Sequence, residues 1–339
     1  MLAGSAAAAA AFVVKIRGVE YIPVEEYARR FGLEAGWIEP GRTMRLKSQW
    51  TTLELEDGSR EILFNSLRLF LGDAVALRRG RLHVSRIDYE HCLVPLLRPD
   101  LGGALPSPPK LIAIDAGHGG VDRGTENQRL GLMEKTFTLD VALRLRDVLA
   151  ARGYRTVLTR TEDVKLAPDQ ATDLITRALV ANRAGADLFV SIHFNSLPND
   201  TRTRGAEIYT FAPQHQRSAT SWGEGVDDGE AQASPVNRFD HLSVLLAHLV
   251  HAQVLGSLQT VDRGQKYGHL RVLRALNCPG VLVESGFLSH DAEARKIATP
   301  EYRQQIATAL ADGIKDYAAA IESARARAAQ EAAGALPPR

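Results

Sequence analysis

The sequence predicts an α/β protein: a mostly parallel sheet with helices on both faces from residue 110 onward, preceded by a small α+β module. Three observations carry that expectation. After residue 110, apolar runs of strand length alternate with stripes at helical spacing, the pattern of βαβ units. Between 13 and 98 the runs are shorter and are broken by turn signals. Between these textures, residues 99–109 carry Gly102, Gly103, Pro106, Pro108 and Pro109, which cannot continue a helix or a central strand and read as a linker.

The elements follow in order. Residues 1–12 are alanine-rich, with the apolar centre and small residues of a secretory leader but without the preceding positive charges; they are expected to be a signal remnant or a disordered tail. Residues 13–16 and 44–47 alternate like half-buried strands, 25–31 reads as a helix stopped by Gly32, and Glu56-Asp57-Gly58-Ser59 marks a hairpin. Residues 111–114 form a strand. Phe137, Val141, Leu145 and Val148 then recur at helical spacing until Arg152-Gly153. Strands are expected at 156–158, 188–192, 206–211 and 281–283, with helices at 174–184 and 242–255. Thr299 before Pro300 has the form of an N-cap, and Tyr302, Ile306, Leu310, Tyr317 and Ile321 continue a helical stripe. The polar stretch 213–240 breaks the rhythm and reads as a long loop, and 322–339 as a fraying tail.

Composition narrows the function. Lys+Arg number 41 against Asp+Glu 40, so the basic face that displaces counterions from nucleic acid is not expected. The longest apolar run, 6–14, is about half of the roughly 20 residues that span a bilayer, so no transmembrane segment is expected. Cys92 and Cys278 stand alone and read as buried thiols, not as zinc or disulfide partners.

Three predicted strands run into a chemically active side chain: 111–114 into Asp115-Ala116-Gly117-His118-Gly119-Gly120, 188–192 into His193, and 281–283 into Glu284. Ligands of open α/β sheets bind outside the carboxyl ends of strands, so these groups can share one crevice. Two imidazoles and a carboxylate suit zinc, which in catalytic sites takes three protein ligands and leaves one position open. Glu134, at a helix start, is a candidate third ligand or simply an acid favoured there by the helix dipole. No HExxH motif occurs, so such a site is assembled from distant segments. His241, His248 and His251 share a face of one helix and form a rival cluster, although that helix also needs a polar face opposite its leucines.

Ile112-Ala113-Ile114-Asp115-Ala116-Gly117-His118-Gly119-Gly120, Gly131-Leu132-Met133-Glu134-Lys135, Ser191-Ile192-His193-Phe194-Asn195 and Val283-Glu284-Ser285-Gly286-Phe287, in this order, resemble the zinc-dependent N-acetylmuramoyl-L-alanine amidases of bacterial cell walls. The likeness runs from about 110 to 321. It implies His118, Glu134 and His193 as zinc ligands, Glu284 as the carboxylate that takes and returns a proton, and Asp115 and Asn195 as residues that orient the imidazoles or the substrate, or cap turns. It further implies peptidoglycan as substrate and export to the periplasm or cell envelope. The sequence departs from the family pattern at Phe194, where a small residue is common, and in the length of 213–240. That insertion reads first as a solvated loop; the alternative, implied by likeness to relatives whose insertion covers the zinc, is autoinhibition relieved by an activator protein, with Glu224 or Glu230 as a metal cap. Residues 13–98 weakly resemble the stalk domain of some copper amine oxidases, without a copper ligand set. A zinc carboxypeptidase on the same scaffold and a non-hydrolytic wall-binding protein remain the alternatives.

Overall fold

A computed structural model describes residues 13–197, 200–219 and 232–334. The expected leader, 1–12, and Glu224 and Glu230 lie outside the described residues. The described residues begin with β1 (Val14–Ile16) and β2 (Val19–Pro23) and enter helix α1 (Val24–Phe31), closed by Gly32 at φ 64°. A meander follows of β3 (Glu34–Glu39), β4 (Thr43–Lys47), β5 (Thr52–Glu56), β6 (Glu61–Phe64) and β7 (Leu67–Phe70). The hairpin β8 (Ala76–Arg78) and β9 (Arg81–Ser85) then packs on β2 as a second, four-stranded sheet. Short helical turns lead to the proline-rich crossing, itself helical at Pro99–Gly102.

Beyond it come β10 (Leu111–Ala116), the ribbon β11 (Glu126–Asn127) and β12 (Leu132–Met133), α2 (Glu134–Ala151), β13 (Arg155–Leu158), α3 (Gln170–Ala184) and β14 (Leu188–Asn195). The remaining elements are β15 (Ala206–Phe211), α4 (Asp240–Leu258), β16 (Asp262–Gly268), β17 (Gly280–Phe287), α5 (Asp291–Ile297) and α6 (Pro300–Gly334). Helix α3 starts where the Asp169 side chain accepts from Thr172 N–H and stops at Gly185, whose φ of 65° suits a residue without a Cβ.

One eleven-stranded sheet spans both halves in the order β13-β10-β14-β17-β15-β16-β7-β6-β5-β4-β3. This corrects the expectation of a mostly parallel sheet. Among the described residues, parallel pairing is confined to β13/β10/β14/β17 and β15/β16/β7; β17 meets β15 antiparallel and the meander is antiparallel throughout, and with the two smaller sheets counted antiparallel pairings predominate. Hydrophobic periodicity does not encode strand direction.

The period-two alternation of each strand sorts the interior. Ile112, Ile114, Val190, Ile192, Val281 and Val283 face a large core shared with α2, α4 and α6. Ala113, Phe189 and Leu282 face the other side, against α3 and the short helix Arg271–Arg274. Cys92 and Cys278 are buried and unpaired by disulfide, as expected of small apolar groups. With the 3₁₀ turn before it, α4 is long and apolar enough to cross a membrane, but Leu242, Leu246, Val250 and Val254 are buried among sheet and α6 residues, so it is the core helix of this fold.

Helix α6 crosses α4 at Gly313, where a Cβ would lie 2.5 Å from Val250 Cα. Gly313→Val is therefore expected to cost about 1–3 kcal/mol through overpacking, read as a lowered melting temperature. Two loop expectations need revision. Residues expected to fray after 321 continue α6 to Gly334, because Ala and Arg favour helix and Arg98 pairs with Glu331 at 2.9 Å. The polar 213–240 stretch ends in the helical turn Pro235–Phe239, capped reciprocally by Ser234 and Asn237. Its described beginning docks on the N-terminal half, with Gln216 donating to Asp88 and Ser218 C=O accepting from Arg60.

Candidate active site

At the carboxyl ends of β14 and β17 the alternation that turns Ile192 and Val283 into the large core turns His193 and Glu284 to the opposite face. His193 on β14 is in register with Glu284 on β17, and Glu284 with Glu207 on β15, so the three stand side by side. His118 reaches the row from the turn after β10, with φ of 61° followed by Gly119 at 136° and Gly120 at 58°. The glycines here are required by space: a Cβ on Gly117 would sit 2.3 Å from the His193 ring, and one on Gly124 2.6 Å from both Glu134 Oε2 and the His118 ring.

Glu134 opens α2, and its buried carboxylate joins the two imidazoles. Its Oε1 lies 3.0 Å from His193 Nδ1 and its Oε2 3.2 Å from His118 Nε2. Backbone N–H groups of Phe194 and Thr125 donate to the same two oxygens at 3.0 and 2.7 Å. One ligand atom from each of His118, Glu134 and His193 lies within 4.8 Å of the others, the only such group of three among the described residues. Burial would raise the Glu134 carboxyl, but the two histidines outweigh it and hold the group well below the usual range. The same pairing, helped by Asp122, raises His118 against the opposing effect of burial. A carboxylate held ionised between two rings, both partly open to solvent, is a donor set that fits zinc.

Asp122, which sequence reasoning passed over, accepts from the remaining His118 nitrogen at 3.0 Å, the carboxylate–imidazole pairing that orients a metal-binding ring. Asp115 touches neither ring. It accepts from Thr159, Ser191 and Arg177, and Asn195 donates to Glu207 at 2.6 Å. Phe194 turns to the opposite face, edge-on to Phe137, so its bulk is absorbed by the core.

Two buried arginines hold the His118 turn from below. Arg177 donates to the carbonyls of Ala116 and His118, and Arg160 to those of Ala116 and Gly117. Asp115 and Asp173 neutralise Arg177 at 2.9 and 2.8 Å. Burial, with the neighbouring Arg177 charge, lowers Arg160 to about 10. Their hold on the His118 turn carried no sequence signal, because the turn carbonyls they meet lie some 40–60 residues away, and the Asp173–Arg177 spacing reads as an ordinary helix-surface pair.

Glu284 differs from its neighbours. Glu207 accepts from Asn195, Tyr209, Arg263 and Lys266, whereas Glu284 Oε2 is out of solvent contact and has no hydrogen-bond partner among the described residues. Burial, then the charges of Glu134 and Glu207, push the Glu284 carboxyl well above the usual range, with Lys266 opposing.

The rival histidine cluster disperses into separate contacts. His251 pairs with Asp262 at 2.7 Å, His248 lies edge-on to Phe64, and His241 meets the Ala104 carbonyl.

Residues 112–316 match the family of N-acetylmuramoyl-L-alanine amidases. The family match leaves out 13–98, so the likeness of that part to an amine oxidase stalk has no support from it. An uncharacterized cell wall amidase of Bacillus anthracis is 32% identical over 209 residues, a span of 61% of this chain and 35% of that protein. The amidase AmiA of Salmonella typhimurium is 31% identical over 227 residues, covering 61% of this chain and 76% of AmiA. Among solved structures, the CwlD amidase of Clostridioides difficile, in complex with the GerS lipoprotein, is similar with a TM-score of 0.51 and 26% identity, over 62% of this chain and 99% of CwlD. With the matched residues holding the gathered histidines and carboxylates, the chain belongs to the N-acetylmuramoyl-L-alanine amidase family.

Proposed function

We propose that this amidase hydrolyses, with zinc held by His118, Glu134 and His193, the amide between the lactyl group of N-acetylmuramic acid and L-alanine of the peptidoglycan stem peptide. The observation that carries the reading is the pairing of a three-donor cluster within 4.8 Å with an in-register carboxylate, Glu284, whose Oε2 has no hydrogen-bond partner among the described residues. Zinc in such a site supplies Lewis acidity, making a water nucleophilic near neutral pH and polarising the scissile carbonyl.

The chain's own groups do the rest. Glu284 accepts the proton of the attacking water and passes it to the departing amine of L-alanine, so the C–N bond breaks without expelling an amide anion. A carboxylate with one oxygen out of solvent contact and two other carboxylates beside it is a stronger base than a free one, and Glu207 draws Lys266 and Arg263 to itself. Asp122 and the Phe194 and Thr125 N–H groups fix the His118 ring and the Glu134 oxygens.

Purified peptidoglycan digested by the chain is expected to release free stem peptides beginning at L-alanine, and chelator to abolish that release until zinc is restored, as read by mass spectrometry. Release of single amino acids would instead identify a carboxypeptidase, and binding without products a wall-binding protein. The substrate places the working protein in the cell envelope. The GerS complex of CwlD lends support to a protein activator here, acting on 213–240.

A further inference from the structure

Strand direction carries the catalytic margin of the sheet into the N-terminal half. β15 runs against β17, while β16 and β7 run with β15, so these three strands begin at the margin where β17 presents Glu284. The antiparallel meander then ends β6 at that margin, begins β5 there and ends β4 there. The turn 48–51 between β4 and β5 therefore stands on the same margin as Glu284. It lies five strands from β17, which at about 4.8 Å per strand is about 24 Å along the sheet.

Trp50 occupies this turn and is 81% exposed, against 36% for Trp37, the next most exposed aromatic side chain among the described residues. The turn is braced from within. Ser48 Oγ accepts from the N–H groups of Trp50 and Thr51 at 3.2 and 3.1 Å, and Ser48 N–H donates to the Thr51 carbonyl at 2.8 Å. Asn65, in the turn between β6 and β7, ties the two turns together: its Oδ1 accepts from Thr52 N–H and its N–H donates to the Thr52 carbonyl, both at 2.8 Å. An indole fixed in water forgoes the burial that stabilises other rings, and a partner that covers it recovers that burial.

The surroundings identify the partner. Nearby cations are matched by acids, Lys47 with Glu34 at 3.5 Å, Arg45 with Glu54 at 2.8 Å and Arg68 with Glu61 at 3.4 Å, so the surface favours neither an anionic membrane nor a charged peptide. Exposed Gln49 and Ser66 add an amide and a hydroxyl. A sugar ring offers an apolar C–H face to an indole, and its hydroxyl and acetamido edges match those polar groups. We propose that the 48–51 turn is a remote platform for the glycan of peptidoglycan, with Trp50 stacked on a sugar several rings along the strand whose lactyl arm is held at the metal cluster. The inference rests on the amidase reading and places a contact with the polymer outside the family-matched residues.

The test uses the zinc-loaded full chain on two substrates with the same stem peptide, one built on a single disaccharide and one on a strand long enough to reach the turn. Trp50→Ala is expected to raise KM for the long strand about tenfold, as for the loss of one stacked ring, and to leave KM for the disaccharide and kcat for both unchanged. Trp50→Tyr should recover most of that loss. A long strand stripped of its peptides, titrated calorimetrically, should bind wild type about tenfold more tightly than Trp50→Ala. Equal KM changes on both substrates, or unchanged binding of the stripped strand, would overturn the platform. So would a Trp50-dependent attachment to lipid vesicles, or a Trp50-dependent dimer, with glycan binding unaltered. Wild-type chain that cleaved neither substrate would overturn the amidase reading, and the stripped strand would still decide the platform.

Discussion

Glu284→Gln is expected to retain zinc and to lose turnover. The substitution keeps the shape of the side chain but removes its basicity, and general acid–base groups contribute about 10²–10⁴-fold, so kcat on a muropeptide is expected to fall by that factor. Metal content, measured on the dialysed protein, should stay near one zinc per chain, because Glu284 lies outside the three-donor cluster. His193→Ala is the contrast: it removes a donor and should lose both metal and activity. Metal loss in Glu284→Gln with retention in His193→Ala would reverse the assigned roles. The variant also bears on stability. A carboxyl whose folded pKa is raised loses stability as pH climbs from its unfolded value toward its folded one. Metal-free Glu284→Gln should therefore destabilise less than wild type over that rise in pH, as read by urea unfolding.

Arg177→Ala is expected to be the most damaging change outside the donor set. Its guanidinium is 1% exposed, fixes two turn carbonyls and neutralises two fully buried aspartates. Removing it strands those charges, a loss of about 3–5 kcal/mol by analogy with broken buried pairs. The His118 turn, held at positive φ, loses its support at the same time. Urea unfolding should show the lost stability, and competition with a chelator should show weakened zinc binding in whatever fraction folds. Arg177→Lys should restore little, because one ammonium cannot reproduce the planar fork that reaches Asp115, Asp173 and the carbonyls together. A lysine variant with wild-type zinc affinity would refute the clamp.

Much of this architecture was legible in the residues, for physical reasons that also mark where legibility stops. Strands β10, β14 and β17 are buried on both faces, so their apolar runs stand out, and Asp115, His193 and Glu284 stand out by interrupting them. The helices α2, α3 and α4 extend the expected spans by a few residues at their ends, where caps decide more than periodicity does. Glu134 was ambiguous from spacing, since an acid at a helix start needs no ligand role, and family likeness distinguished it. Asp122 was missed as an ordinary loop acid, and Glu207 as an ordinary strand glutamate. What makes each of them matter is a partner brought near only by the fold. The joining of the meander to the sheet was hidden by 99–109, whose prolines report a break in chain direction and say nothing about which strands pair across it.

That joining has a consequence for how the enzyme stays dispersed. β16 carries Arg263 and Lys266, the cations that hold Glu207, and it is paired on one side by β15 and on the other by β7. The contact with β7 is secured by Arg68 N–H donating to Asp262. Without residues 13–98, β16 would become a naked sheet margin offering unpaired amides to any passing chain, within a few residues of the reactive row. The N-terminal strands thus move the open margin of the sheet outward to β3, whose residues are all solvent-exposed and where Glu34 and Glu39 sit as charged guards against strand-to-strand association.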